Sequence, residues 1–327
     1  MKVGNTEFAG FAALAPMAGV ADRAMRELCV RHGASFVVGE MASSKGISMR
    51  DRRSAELLAI SDAERPAGVQ LFGDTPSVMA NAARAAMASE PQFIDVNMGC
   101  PAPKVAGNGG GSALMKRPEL AAEIVHACVQ AVPVPVTVKM RLGWDENTIN
   151  APALAVLVEQ AGAAAITVHG RTRAQMYAPP VDRQTIRRVK EAVHIPVNAN
   201  GDETDGVSAR QMLDETGCDF LMVGRGALGR PWVFSQINAY LASGEILPEP
   251  PLETRMQIML DHMQTLCLYK GDYIGMREAR KHAAWYIRGI HGAASYRNRI
   301  GALTTMDELR ALADDVLKES RLYGQQS

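Results

Sequence analysis

Eight short apolar runs, at 13–16, 36–40, 68–72, 93–97, 134–139, 165–169, 195–200 and 220–224, alternate with stretches of helical periodicity such as 117–130 and 151–161. A strand that buries both faces reads as a continuous apolar run, and a helix packed on one side repeats its apolar residues every three or four positions. Eight such β/α repeats within about 240 residues exceed what an open parallel sheet commonly holds and match the closed (β/α)8 barrel, the TIM barrel, of the α/β class. The chain of 327 residues leaves enough for a second, smaller unit.

Polar residues in these runs collect at the C-terminal ends. The ends deliver Pro16 and Met17, Glu40, Gln70, Asn97, Lys139 with Arg141, His169 with Arg171, Asn200-Gly201-Asp202, and Gly224-Arg225. In a parallel barrel those ends share one rim, where active sites are built. A lone His is usually a satisfied core residue and a lone Lys a surface one. A Gln, a Lys and a His converging on one rim instead offer donors and acceptors suited to a flat heteroaromatic ring. The last two ends place glycines and a guanidinium where barrels bind phosphate. A ring with a phosphate suggests FMN.

The fourth run leads into Gly99-Cys100-Pro101 and then the glycine-rich segment 106–112. Pro101 and Pro103 forbid the strand from continuing, so Cys100 stands just past its end. A free cysteine is most often a small buried hydrophobe. This placement, on a stiff turn before a loop whose glycines read as flexible, suits a proton donor under a lid. The glycine run has no Gly-Lys-Ser/Thr ending and opens no helix directly after a strand, so it is neither a P-loop nor a dinucleotide fingerprint.

The five cysteines are scattered without a Cys-x-x-Cys pair. That pattern suggests neither a disulfide framework nor a metal site, and it fits a cytoplasmic protein. No run approaches the ~18 apolar residues of a membrane span, so no membrane partner is expected. After a proline-rich break at 247–252 the pattern becomes wholly helical. Between Tyr273 and Ile300 six Lys and Arg face one acid, Glu278, although the formal net charge of the whole chain is zero. At ~100° per residue Arg277, Lys281 and Arg288 share one helical face, opposite Ala279, Ala283, Tyr286 and Ile290. A basic helical module beside a flavin-type barrel is what a polyanionic substrate requires, because phosphate contacts supply much of nucleic-acid affinity. The expected layout is a catalytic barrel over 1–245, a basic helical domain over 251–320 and a disordered tail over 321–327. A monomer is expected, since the basic face must stay free.

Across nearly its whole length the sequence resembles the tRNA-dihydrouridine synthases, the bacterial B type above all. The resemblance rests on Ala-Pro-Met-Ala-Gly at 15–19, Asp-Val-Asn-Met-Gly-Cys-Pro at 95–101, Val-Lys-Met-Arg-Leu-Gly-Trp at 138–144, and Val-His-Gly-Arg-Thr-Arg at 168–173. It continues in Asn-Ala-Asn-Gly-Asp at 198–202, Val-Gly-Arg at 223–225, Gly-Arg-Pro-Trp at 229–232 and Arg-Lys-His at 280–282. It implies FMN as cofactor, NADPH as reductant, and reduction of the C5–C6 double bond of uridines in tRNA, with the D-loop favoured. Flavin contacts would fall to Pro16, Met17, Ala18, Gln70, Lys139, His169, Asn200, Gly201, Asp202, Gly224 and Arg225. Cys100 would be the proton donor. Glu40, Asn97, Arg141 and Arg171 would lie near the flavin or a flipped uracil, and Arg277, Arg280, Lys281 and Arg288 would face the tRNA. Two departures stand out: the loop at 106–111 lacks a basic residue, and Tyr-Ala-Pro-Pro at 177–180 replaces the more usual glycine and acidic residues. Two other readings remain, an FMN barrel acting on a free pyrimidine and a non-catalytic tRNA-binding protein.

Overall fold

The structure, a computed structural model, describes residues 1–324. Eight parallel strands close on themselves: β1 (Ala12–Leu14), β2 (Val37–Val38), β3 (Ala67–Phe72), β4 (Phe93–Met98), β5 (Val136–Met140), β6 (Ala165–His169), β7 (Val197–Asn200) and β8 (Phe220–Val223). Each pairs with the next in sequence, and β8 returns to β1 through Leu221 opposite Ala12. The barrel expected from the eight repeats is therefore the observed one. Ala42–Ser43 resumes the course of β2 and pairs with the end of β3.

Helices α1 (Arg23–Arg31), α2 (Pro76–Ala86), α3 (Pro118–Val129), α4 (Ala151–Gln160), α5 (Arg183–Ala192), α6 (Gly206–Thr216) and α7 (Val233–Ser243) accompany the strands. Their starts are written locally. Asp22, Asp182 and Asp205 accept from the backbone N–H three residues on, while α2, α3 and α4 carry Pro in the first turn, where no N–H is required. Among the described residues only the β2–β3 connection lacks a full helix; it uses three short helical turns, Ser44–Ser48, Arg52–Glu56 and Asp62–Glu64.

Strand alternation sorts the barrel interior into layers. At the bottom the N-terminal hairpin, Lys2–Val3 with Thr6–Glu7, brings Phe8 against Phe36 and Phe93, ring centroids 4.7 and 5.9 Å away, and Phe36 stacks on Phe220. Gly68 has to be glycine here, because a Cβ would lie 2.3 Å from the Phe93 ring. Two residues up, the lining turns polar on the four strands β4 to β7, with Asp95, Thr137, Thr167 and Asn198 all buried. Two more residues reach the rim.

The C-terminal segment folds as α8 (Leu252–Lys270), α9 (Asp272–Tyr286), α10 (Ala293–Ala302) and α11 (Met306–Gly324). Met256, Met259, Met263, Leu266, Met276, Ile300, Leu309, Leu312 and Val316 build a core of its own, which Ala24 and Trp232 of the barrel also join. Because α11 continues to Gly324, residues 321–324, expected in a disordered tail, are helical; residues 325–327 lie outside the described residues. Among the described residues no helix is long and apolar enough to cross a membrane.

Candidate active site at the C-terminal rim

The rim residues form one connected polar layer. From β4, Asn97 donates from Nδ2 to Gln70 Oε1 on β3 at 2.8 Å, and Gln70 Nε2 donates down to Asp95 Oδ2 at 2.7 Å. Thr137 holds the other Asp95 oxygen at 2.6 Å. From β5, Lys139 Nζ donates to Asn200 Oδ1 on β7 at 2.9 Å, while the Asn200 amide donates to the Met222 carbonyl at 2.6 Å. Each side chain is thus fixed by a neighbour on an adjacent or facing strand. Asp95 and Thr137 are the buried supports of this layer that sequence reasoning did not single out. The signal was an acid two residues before Asn97 inside a strand buried on both faces.

Cys100 follows β4 as expected. Its amide N–H and that of Gly99 both donate to Asn97 Oδ1, at 2.9 and 3.1 Å, so the asparagine shapes the turn that presents the thiol. The glycines that follow are explained by close packing and backbone geometry rather than by slack. Ser112 N–H donates to the Cys100 carbonyl at 3.0 Å, Gly111 is buried with φ +55°, and a Cβ there would lie 2.8 Å from that same oxygen. Burial raises the Cys100 pKa against the opposing effects of the Ala102 N–H, Arg141 and Lys139, which keeps the thiol protonated at neutral pH.

Positive charge dominates the surroundings. Arg141 is buried and committed to backbone carbonyls of Gly99, Thr172 and Met176 at 2.8–2.9 Å. Arg171, 1% exposed, forks onto Asp202, which Arg225 also reaches at 2.7 Å. Burial alone would raise Asp202, but Arg171 and Arg225 outweigh it and hold the carboxyl below its usual range. Burial, followed by the charges of Lys139, Arg141, Arg171 and Arg225, pushes His169 far below its ordinary pKa, so the imidazole is neutral. Burial, then Arg141, lowers Lys139 to about 8. The exposed Tyr177 ring lies 4.8 Å from the Arg225 guanidinium and 6.3 Å from the His169 ring, so the departure at 177–180 sits over the pocket mouth.

The structure also supplies a residue with no sequence signal. Glu203, beyond the Asn-Gly-Asp turn, is 2% exposed; Oε2 accepts from the Gly201 N–H at 2.9 Å, and Oε1 has no hydrogen-bond partner among the described residues. Burial pushes its carboxyl up to about 7. With the folded pKa above the unfolded value of about 4.5, the native state holds the extra proton, and stability present below pH 4.5 is lost as pH rises through about 7. Glu203→Gln, which mimics the protonated acid, should remove that loss. Denaturant unfolding at pH 5 and pH 8 should show the variant gaining about 2–3 kcal/mol on the wild type between the two. Equal pH slopes would show that Glu203 is ionised in the fold.

The loop after β1 carries Pro16, Met17 and Ala18 to the same rim and ends in Gly19, whose φ of +70° calls for glycine. Glu40, at the end of the second strand run, accepts from the Gly19 N–H. The four basic residues expected on one outward surface divide in two. Arg277 and Arg288 are exposed, whereas Arg280 donates to the Leu303 carbonyl at 2.8 Å and Lys281 reaches the Gly19 carbonyl. Arg288 also falls beyond α9, which ends at Tyr286, so the single basic face expected from periodicity does not extend to it.

Comparison with known proteins agrees with this architecture. The histamine dehydrogenase from Rhizobium sp. 4-9 is 14% identical and superposes with a TM-score of 0.57 over 81% of this chain, which spans about half of that enzyme's length (50%). Morphinone reductase gives a TM-score of 0.56 at 13% identity over 78% of this chain and 91% of that one. At such identities these likenesses speak for the barrel alone. The "Probable tRNA-dihydrouridine synthase" of Rickettsia bellii is 44% identical over 97% of each chain. The "tRNA-dihydrouridine synthase B" of Pseudomonas aeruginosa is 46% identical over 90% of this chain and 89% of that protein. Residues 13–321 match the model of the dihydrouridine synthases, which takes in Cys100, every strand end of the rim and all four C-terminal helices up to its last residue, and by that match and those identities the chain is an enzyme of the dihydrouridine synthase family.

Proposed function

We propose that the protein is a cytoplasmic, monomeric tRNA-dihydrouridine synthase that binds FMN, is reduced by NADPH and saturates the C5–C6 bond of uridines in tRNA, those of the D-loop being favoured. The observation that carries this reading is the position of Cys100: a thiol kept protonated on the same rim as a buried ammonium, a neutral imidazole and a fixed pair of amides.

The residues suit a flavin mononucleotide. Gln70, Lys139 and His169 offer donors and acceptors for the edge of a ring. At the other side of the rim a Cβ on Gly224 would meet nothing nearer than 3.7 Å, so bare backbone beside Arg225 leaves room for a phosphate. Pro16, Met17, Ala18, Asn200, Gly201 and Asp202 would complete the cradle. Bound there and reduced, FMN would supply the hydride that saturates the uracil ring.

The chain's own side chains do the rest. Negative charge develops on the uracil as C6 is attacked, and Cys100 quenches it by giving its thiol proton to C5. Lys139 holds positive charge beside the ring, and Asn200 fixes its ammonium. Asn97 sets the turn of Cys100, and Arg141 braces the Gly99 carbonyl next to it. A uridine stacked in tRNA cannot enter such a pocket, so it must swing out. Exposed Arg277 and Arg288 then offer phosphate contacts for the surrounding RNA.

Reducing the holoprotein with NADPH without oxygen and adding unmodified tRNA tests the reading. Flavin reoxidation by tRNA, with free uridine inert, is the expected result. Reoxidation by free uridine instead would favour a reductase of free pyrimidines, which the same rim residues would serve.

A further inference from the structure

Helix α9 carries the Arg-Lys-His run 280–282, and two of these three residues face the barrel rather than solvent. Lys281 donates to the carbonyl of Gly19, whose N–H is already held by Glu40. One residue on, His282 places Nε2 3.3 Å from Asp22 Oδ2, both side chains being almost fully buried. Asp22 uses its other oxygen to cap α1 through the Met25 N–H at 3.1 Å. Burial alone would raise Asp22, but the adjoining His282 ring holds it well below the usual carboxylate range. The second histidine of the cluster, His262 on α8, packs against His282 at 4.9 Å and contacts Tyr286 Oη at 3.1 Å; burial keeps it neutral.

The same helix also seats the loop that follows β8. Gly229, with φ +69°, packs so closely on α9 that a Cβ would lie 2.4 Å from the Trp285 carbonyl carbon, and the Trp232 ring lies 6.3 Å from that of Tyr286. One helix thus contacts both loops that flank the β8–β1 seam of the barrel, 16–22 and 224–232.

We propose that Lys281 and His282 are positioning residues for the cofactor. They hold the Pro16–Asp22 loop from the C-terminal side, so that α9 is part of the flavin site as well as a surface for RNA. The inference rests on the reading that this loop contacts FMN. Two physical consequences follow. The loop follows β1, only three residues long, and is otherwise held by Glu40 on the Gly19 N–H and Arg26 on the Ala21 carbonyl, so loss of the Lys281 contact loosens a segment whose ordering must then be supplied in part by cofactor binding. In addition, exposed Arg277 lies one turn from Lys281 on the same helix, so RNA held at Arg277 would sit one turn from the contact that holds the loop.

The test uses the full-length apoprotein. FMN affinity is measured by fluorescence titration, and thermal unfolding is recorded without FMN, for the wild type, Lys281→Met, Lys281→Arg and His282→Asn. A charge-assisted hydrogen bond of this kind predicts FMN binding about tenfold weaker in Lys281→Met, with substantial recovery in Lys281→Arg. The apoprotein melting temperature of Lys281→Met should stay near that of the wild type, and the flavin absorbance of His282→Asn should shift toward that of free FMN. Unchanged FMN affinity in both Lys281→Met and His282→Asn would overturn the proposal. So would a loss that tracks apoprotein melting and is not recovered by arginine, since that pattern describes domain docking alone. A wild-type apoprotein that takes up no FMN would sink the flavin-site reading itself, and the clamp with it.

Discussion

Cys100→Ala should separate the two half-reactions. The variant is expected to bind FMN and accept electrons from NADPH at the wild-type rate, because the Cys100 side chain supports none of the rim hydrogen bonds that fix Gln70, Lys139 and Asn200. Transfer to tRNA should slow by about 10²–10⁴-fold, the usual contribution of a positioned general acid. Anaerobic stopped-flow reoxidation with tRNA measures the second step alone. Cys100→Ser should recover little, since a hydroxyl is a far weaker acid than a thiol. The sign of the pH dependence is also set. The protonated thiol is the reactive form and burial raises its pKa, so the wild-type rate should hold through neutral pH and fall only above the ordinary thiol range. A Cys100→Ala enzyme with normal reoxidation would remove the thiol from the mechanism.

Lys139→Met is expected to exchange function for stability. The ammonium is carried into the barrel with one hydrogen-bond partner, Asn200, and with the like charge of Arg141 nearby, and burial brings its pKa to about 8. The unfolded chain would hold that proton up to about pH 10.4. Between those values the unfolded state binds more protons, so the wild type gains stability as pH rises through the window. Below pH 8 the buried charge is a cost, reduced by its bond to Asn200. Methionine removes the charge but leaves Asn200 Oδ1 unpaired, so the variant apoprotein should be about 1–2 kcal/mol more stable at pH 7. That advantage should fall by about 2–3 kcal/mol by pH 10, so that the variant becomes the less stable of the two there. Flavin reduction by NADPH should slow by at least about tenfold, because Lys139 carries the ammonium that the barrel strands place at this rim to oppose charge on the ring. Denaturant unfolding at the two pH values, beside single-turnover reduction, checks both halves. A destabilised variant at pH 7 would mean that the site is wetter than its burial implies.

The barrel and much of its rim were legible in the sequence because both are local. Alternation of apolar strands with amphipathic helices is a property of each segment, and a polar residue at the end of an apolar run marks the rim without reference to any partner. That logic brought out Gln70, Asn97, Lys139, His169 and Asn200, and it placed Cys100 on the turn where the structure has it. The glycine run at 106–112 shows the limit, for composition suggests freedom whereas the contact of Gly111 with the Cys100 carbonyl shows close packing.

Pairings between distant elements were decided by tertiary structure alone. Asp95 becomes a support only because β3 and β5 flank β4, and Glu203 becomes a buried acid only because the turn after β7 folds inward over it. Helical periodicity assigned Lys281 to an outward basic face, since a helical wheel records angles about one axis and nothing of what lies across from them. The packing of α9 on the barrel brings that lysine to Gly19, 262 residues earlier in the chain, and turns a residue expected to meet RNA into a contact of the loop after β1. Sequence therefore determined the elements and the chemistry of their ends. The angle at which two packed units meet decided which charges face solvent and which hold the site together.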